Sequence, residues 1–182
     1  MWCIISLLLL AVFAALPIRP GVVIGESMVP TFKDGQIFLM RLLRHPESLH
    51  RGDVVVFSIG GETCIKRVVG LPGDRLWGLD FDEMAGRPDY VTSDPKEITR
   101  LRRLVRESPA VGRVTEVVVP PGRVYVLGDA ANNSYDSRHF GPVRMEEIKG
   151  RVVVASLFDH LKLRGASYAH AATRRPDAGE QE

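Results

Sequence analysis

Two short segments of the chain could together supply a nucleophile and its base. Ser27 lies in the run Gly-Glu-Ser-Met-Val-Pro-Thr at residues 25–31, and Lys66 lies in Cys-Ile-Lys-Arg-Val-Val-Gly at residues 64–70. A serine hydroxyl attacks poorly until a base removes its proton, and a lysine can act as that base only in its neutral form. With the reference pKa of about 10.4, a lysine is neutral in only roughly 0.4% of molecules near pH 8. The pair therefore predicts hydrolytic chemistry if Lys66 is desolvated.

The predicted strand around Lys66 indicates how desolvation could arise. Side chains alternate along a strand, so Cys64, Lys66 and Val68 are expected on one face. A lysine between two apolar neighbours on a core-facing surface loses hydration, which lowers its pKa. Arg67 lies on the opposite face and is expected to point to solvent.

Each residue alone also has an ordinary explanation. Ser27 could close a turn, and Lys66 could extend from a strand edge into water. The segment around Ser27 does not have the Gly-x-Ser-x-Gly pattern of many hydrolases that use a histidine base. His139 stays open as an alternative base, whereas His45 and His50 flank a polar segment and are expected to be solvated.

Composition narrows the classes of function. The chain has 182 residues, which is enough for one domain with a real core and a smaller appendage. Its 24 Lys and Arg residues against 22 Asp and Glu leave a net charge of +2, and the basic residues are spread along the chain, so nucleic acid is not an expected partner. Cys3 and Cys64 form neither a disulfide framework nor a zinc-ligand spacing, and no metal site is expected.

The N-terminal segment predicts a membrane anchor over residues 1–18. Residues 2–16 are apolar except for Ser6. A helix of about 17 residues would span about 25 Å, slightly less than a hydrocarbon core of about 30 Å. A cleaved signal peptide is the alternative, with Val12 and Ala14 as its small residues. The absence of Lys or Arg before the apolar run favours a retained anchor.

Beyond the anchor, residues 19–160 read as a β-rich domain. Short runs of β-branched residues recur between Gly, Pro and Asp, and the predicted strands are 21–24, 36–42, 54–59, 63–69, 114–119, 123–127 and 151–156. Pro-Gly pairs at 72–73 and 121–122 supply turns. The pattern predicts a mainly antiparallel β fold.

Residues 75–117 do not continue this recurring strand pattern and are predicted to form an inserted small subdomain. Asp94 followed by Pro95 is typical of a helix start, and apolar residues at helical spacing predict a helix over residues 94–107. From residue 161 to 182 the composition becomes polar and mixed in charge, which is typical of a disordered tail.

Four segments in this order, residues 25–31, 51–57, 64–74 and 128–143, resemble the type I signal peptidase family. The resemblance implies a membrane-anchored serine endopeptidase that removes N-terminal signal peptides from exported precursors. Ser27 would be the nucleophile and Lys66 the general base. The implied substrate has small residues at the first and third positions before the cut and binds as an extended strand beside the sheet. No cofactor is implied.

The last segment carries further residues that the resemblance assigns. Ser134 would hydrogen-bond and orient Lys66, and Asn133 would border the substrate cleft. Asp136 and Arg138 would form a structural ion pair. Ala130 stands where the family commonly has asparagine, which leaves the hydrogen bonding of that turn open.

Three residues near the dyad leave alternatives open. Met28 and Ile65 flank it in sequence and could line a shallow pocket for a small side chain or pack in the core. The main-chain N–H of Ser27 is the first candidate for an oxyanion donor. Some family members carry a hydroxyl two residues before the nucleophile, but that position is Gly25 in this chain.

The expected location is a single-pass membrane protein whose catalytic domain lies on the extracytoplasmic side, in contact with membrane lipid. Basic residues after the anchor, Arg19 among them, would favour the opposite orientation, so this placement depends on the resemblance. Two other functions remain open. One is a self-cleaving repressor-type peptidase with the same dyad, and the other is a membrane-tethered β module that binds peptides without cutting them.

Overall fold

The computed structural model describes residues 17–43, 49–81 and 88–154. Most of the predicted anchor, the predicted tail at 161–182 and His45 lie outside these ranges. Within them, no helix combines the length and apolar character needed to cross a bilayer.

The main body is a seven-stranded antiparallel sheet. Its strands lie in the spatial order β1-β2-β10-β3-β4-β8-β9. Their bounds are β1 Ile18–Val22, β2 Ile37–Leu42, β3 Val54–Ile59, β4 Glu62–Gly70, β8 Arg123–Leu127, β9 Val143–Arg144 and β10 Ile148–Val154. Every pairing between these neighbours is antiparallel, which confirms the mainly antiparallel β prediction.

A smaller sheet is formed by the intervening segment. Its strands are β5 Arg75–Asp80, β6 Tyr90–Thr92 and β7 Arg113–Val118, in the order β6-β5-β7. Helix α1, Pro95–Glu107, begins as the sequence predicts, because the Asp94 side chain accepts a hydrogen bond from the Lys96 N–H at 2.9 Å. Arg102 lies over the Trp77 ring at 4.4 Å and joins the helix to β5.

The first strand differs from the prediction of residues 21–24. Strand β1 begins at Ile18 and pairs with β2 through Val22. Pro20 is tolerated there because β1 is an edge strand, where a missing N–H can face away from the ladder. Pro17 also accepts a hydrogen bond from the Leu42 N–H at 2.6 Å, so the last two residues of the predicted anchor at 1–18 belong to the sheet region.

Two apolar clusters pack on the main sheet, and a third lies beneath the smaller one. Eight buried residues form the first cluster, with Phe57, Val68 and Val126 fully enclosed. The second includes Met28, Phe32, Phe38 and Ile65, which packs the segment after β1 onto β3 and β4. This packing holds the Ser27 turn against strand β4.

Candidate active site

The Ser27 side chain is presented by a tight turn after β1. The Val29 N–H donates to the Glu26 carbonyl at 3.1 Å, which closes the turn around Ser27 and Met28. Gly25 has a φ of 86° and donates its N–H to Asp34 Oδ1 at 2.7 Å. This left-handed conformation favours glycine, so a hydroxyl-bearing residue at position 25 would strain the turn. Burial of Met28 then fixes the turn to the core.

Lys66 reaches Ser27 from the adjacent strand. It lies in the middle of β4, opposite the fully buried Val55 of β3, and is itself only 5% exposed. Its Nζ donates a hydrogen bond to Ser27 Oγ at 2.7 Å. Burial lowers the pKa of Lys66 below its ordinary value, and this effect outweighs the opposing influence of nearby Cys64, Asp136 and Asp129. The strand alternation therefore correctly predicts a desolvated lysine.

The loop after β8 docks directly on the Ser27 turn. The Ala130 N–H donates to the Ser27 carbonyl at 3.0 Å, so the hydrogen bonding left open by alanine at this position is supplied by the backbone. Gly128 lies so close that a Cβ on it would be 2.5 Å from the Ser27 carbonyl oxygen and 2.5 Å from the Cβ of Ser134. The approach of these two loops therefore requires a residue without a side chain at position 128.

Ser134 is brought to the same place, but without the predicted bond to Lys66. Its Oγ is buried and makes no hydrogen bond of ordinary geometry with the described residues. The hydroxyl is near enough to Asp136 to help to lower the pKa of that carboxyl. An orienting role toward Lys66 thus stays a prediction.

Asp136 and Arg138 form a buried ion pair. Asp136 is completely buried, and its two carboxylate oxygens accept from Arg138 Nε at 2.9 Å and Nη2 at 2.8 Å. It also caps helix α2, Ser137–Phe140, and accepts from the Gly128 N–H at 3.0 Å. Burial raises the pKa of Asp136, but these hydrogen bonds and the arginine charge together hold it below its ordinary value. The pair thus ties the short helix to the loop beside Ser27.

Arg67 does not point freely to solvent, contrary to the sequence prediction. Its Nε donates to Asp129 Oδ1 at 2.8 Å, and its guanidinium also reaches Thr31 Oγ1 at 3.1 Å and the Gly52 carbonyl at 2.9 Å. Alternation correctly separates it from Lys66, but the face of β4 that it shares with the buried Ile65 is covered by the loops around Thr31 and Asp129. Sequence reasoning missed this link because nothing local indicates that the two loops converge there.

The three residues with predicted substrate contacts have different environments. Met28 and Ile65 lie together in the second apolar cluster, so both pack in the core beneath the dyad. Asn133 is exposed and donates from Nδ2 to Glu26 Oε2 at 3.3 Å. Their contacts with a substrate remain a prediction.

His139, the alternative base, lies on helix α2 and takes part in its cap. Its Nδ1 accepts from the Asp136 N–H at 3.4 Å, and its ring lies 4.8 Å from that of Tyr135. The side chain that meets the Ser27 hydroxyl is Lys66.

Two hollows lie beside this loop. The larger, about 760 Å³, lies between helix α1 and the smaller sheet and has Leu79, Leu101 and Asn132 in its lining. The smaller, about 280 Å³, reaches Ser134 and Arg138. The described residues contain no group of three side chains suited to hold a metal ion.

Known proteins similar to this chain include several signal peptidases. The profile of the family described as signal peptidase, peptidase S26, matches residues 1–157. Signal peptidase I of Bacillus caldolyticus is 34% identical over 163 residues, which cover 82% of each chain. Signal peptidase I V of Bacillus subtilis is 35% identical over 134 residues, covering 69% of this chain and 78% of its own. A signal peptidase I from Enterococcus faecalis with a crystal structure is 24% identical in sequence to this chain, and the two structures superpose with a TM-score of 0.38. The match covers 57% of this chain and 96% of that one.

Proposed function

The chain belongs to the signal peptidase I family, peptidase S26, and on that premise we propose that Ser27 is its nucleophile and Lys66 its general base. Enzymes of this family are serine peptidases that cleave signal peptides from secreted precursors, and this is the function of the chain. The observation that carries the assignment of the dyad is the 2.7 Å hydrogen bond between Lys66 Nζ and Ser27 Oγ at a lysine that is 5% exposed.

The dyad would work through a change in the direction of this hydrogen bond. When Lys66 is an ammonium it donates to Ser27, and when it is neutral its lone pair accepts the Ser27 proton. Ser27 Oγ then attacks the scissile carbonyl, and the protonated Lys66 delivers the proton to the leaving amine as the C–N bond breaks. Lys66, neutral again, takes a proton from the water that attacks the acyl-enzyme and returns it to Ser27 Oγ as the ester bond breaks and the carboxyl product leaves.

The surroundings of Lys66 favour its neutral form. Asp129 and Asp136 each stabilise the ammonium, but each is also paired with an arginine, Arg67 or Arg138. The arginines offset part of this negative charge. Burial lowers the pKa of Lys66 by more than the nearby acidic groups raise it. Each unit by which the pKa falls raises the neutral fraction about tenfold at neutral pH. In our proposal the two ion pairs therefore help to keep Lys66 neutral, in addition to holding the loop after β8 in place.

Oxyanion stabilisation would rely on the backbone. Gly25 has no hydroxyl, and its N–H is already used by Asp34. We assign the Ser27 N–H as the first donor, because it lies on the turn that presents the nucleophile.

Among the residues that the structure describes, no strand pairs with one side of β4 over residues 62–66. On its other side β4 pairs with β3 along its length from Glu62 to Arg67. The pairing of β4 with β8 is described only from Arg67 to Gly70. A peptide could therefore add along residues 62–66, which would bring its carbonyl to the dyad. Asn133 and Ser134 would border the same cleft.

Membrane attachment is a further part of the proposal. Signal peptidase I enzymes are membrane-anchored, and we assign residues 1–16 as the anchor, since Pro17 and Ile18 belong to the sheet region, and place the catalytic domain on the extracytoplasmic side. Apolar side chains next to Ser27 support a site close to the lipid surface, since Ile24 is 83% and Val22 is 45% exposed. Flotation of the full chain with liposomes, compared with a chain that begins at Pro17 and so keeps strand β1, tests this attachment.

The test of the dyad uses a purified secretory precursor. Mass spectrometry of the products should show a single cut after a small residue. Ser27→Ala should abolish that cut, whereas Ser58→Ala, a serine of strand β3 outside the proposed dyad, should retain it. Full activity of Ser27→Ala would refute the assignment of the nucleophile.

A further inference from the structure

The carboxylate of Glu26 is exposed and belongs to the residue that precedes the proposed nucleophile. Glu26 is exposed, whereas Ser27 is half-buried and Met28 fully buried. The turn closed by the Val29 N–H at 3.1 Å from the Glu26 carbonyl explains this order. It directs the Ser27 hydroxyl toward Lys66 while the side chain before it faces the solution.

A second contact holds this carboxylate between two loops. Asn133 Nδ2 donates to Glu26 Oε2 at 3.3 Å. The loops are already joined by the Ala130 N–H, which donates to the Ser27 carbonyl at 3.0 Å. The exposed contact is therefore not needed to position them, and a long, solvated hydrogen bond contributes little to stability. It leaves the carboxylate accessible to a bound peptide.

The carboxylate of Glu26 has a different kind of partner from the carboxylates of Asp129 and Asp136. Asp129 and Asp136 are paired with Arg67 and Arg138, respectively. Glu26 instead meets the neutral amide of Asn133. Its negative charge is thus presented at the surface, where a charged side chain of the substrate can meet it.

The geometry of an extended substrate determines which side chains can do so. If the small residues at the first and third positions before the cut face the enzyme, alternation turns the second residue before the cut and the first after it outward. Because Glu26 is exposed and next to the nucleophile, we expect these two side chains to pass close to its carboxylate. We infer, on the basis of the proposed function, that Glu26 is a specificity residue that favours a basic and disfavours an acidic side chain at these two positions.

The test is a series of precursor peptides that differ only at these positions. Each position in turn carries Lys, Gln or Glu, and kcat/KM is measured for the wild type, Glu26→Gln and Glu26→Lys. Glu146→Gln is the matched control, because Glu146 is also exposed but lies in the turn that precedes β10. Surface charge pairs predict a preference for Lys over Glu of about threefold to tenfold in the wild type.

The expected results are specific to charge. The ratio of kcat/KM for the Lys peptide to kcat/KM for the Glu peptide should approach one in Glu26→Gln. It should fall below one in Glu26→Lys and keep its wild-type value in Glu146→Gln. It should also approach one in about 1 M salt, where charges are screened beyond about 3 Å. Equal rates for Lys and Glu peptides in the wild type, or an unchanged preference in Glu26→Gln, would overturn the inference. Failure of the wild type to cut the uncharged peptide would overturn the proposed function as well.

Discussion

Substitution of Gly128 by alanine should disable the site while the fold survives. The added Cβ would lie 2.5 Å from the Ser27 carbonyl oxygen, whereas ordinary carbon–oxygen contacts lie at about 3.3 Å. The Ser27 turn must therefore move by about 0.8 Å, and it carries the hydroxyl that lies 2.7 Å from Lys66 Nζ. A misplacement of about 1 Å can cost about 100-fold in rate, which corresponds to about 2.7 kcal/mol in the activation free energy.

The assay is kcat on one precursor peptide, with thermal unfolding measured in parallel. Gly70→Ala is the matched control, because its Cβ would meet Val119 Cγ2 at 2.9 Å and Tyr125 Cβ at 3.2 Å, which are core atoms and not part of the dyad. Overpacking should cost Gly70→Ala about 1–3 kcal/mol of stability and leave most of its kcat.

A second variant separates the two contacts of the added methyl group. In Gly128→Ala with Ser134→Gly, the contact with the Ser134 side chain is relieved but the contact with the Ser27 backbone remains. We expect this double variant to stay more impaired than Ser134→Gly alone. A kcat within about threefold of the wild type for Gly128→Ala would refute the reasoning, because the loops would then tolerate the shift that the structure disallows.

Three further predictions concern charge and protonation. Lys66→Arg should abolish turnover as fully as Lys66→Ala, because a guanidinium stays protonated; substantial cleavage by the arginine variant would contradict the general base. Since burial lowers the pKa of Lys66 from its ordinary 10.5, the cleavage rate should rise with pH along a limb centred below that value. His139→Ala should keep this limb, and a wild-type plateau at or below pH 7 with an inactive His139→Ala would indicate a histidine base. Asp136→Asn should cost about 3–5 kcal/mol in urea unfolding, because it removes a fully buried carboxylate and leaves the Arg138 guanidinium without its charged partner. The pKa of Asp136 is lower in the folded state than in the unfolded state. Its contribution to the free energy of unfolding is therefore complete above the unfolded pKa of about 3.9 and is lost as the pH falls through the folded pKa. The difference in unfolding free energy between the wild type and Asp136→Asn should shrink in acid.

Local patterns were enough to predict the environment of Lys66 and the bounds of several elements, whereas the pairing of Ser27 with Lys66 was expected from the family resemblance. The alternation around Lys66 predicts a core-facing lysine, and the structure places it opposite Val55. The Asp94–Pro95 start predicts helix α1, because capping depends on residues that are adjacent in sequence. Strands β3 and β8 also coincide with their predicted ranges, since each is a β-branched run between turn residues.

Contacts between distant segments were decided only by the tertiary structure. The sequence cannot indicate that the Ala130 N–H meets the Ser27 carbonyl or that Arg67 joins Thr31 to Asp129, because these residues are separated by long stretches of chain. The edge position of β1, which allows a strand through proline, likewise depends on the order of strands in the sheet. Residue types and alternation set what each side chain can do locally, whereas strand order and loop packing decide which groups come within 3 Å of one another.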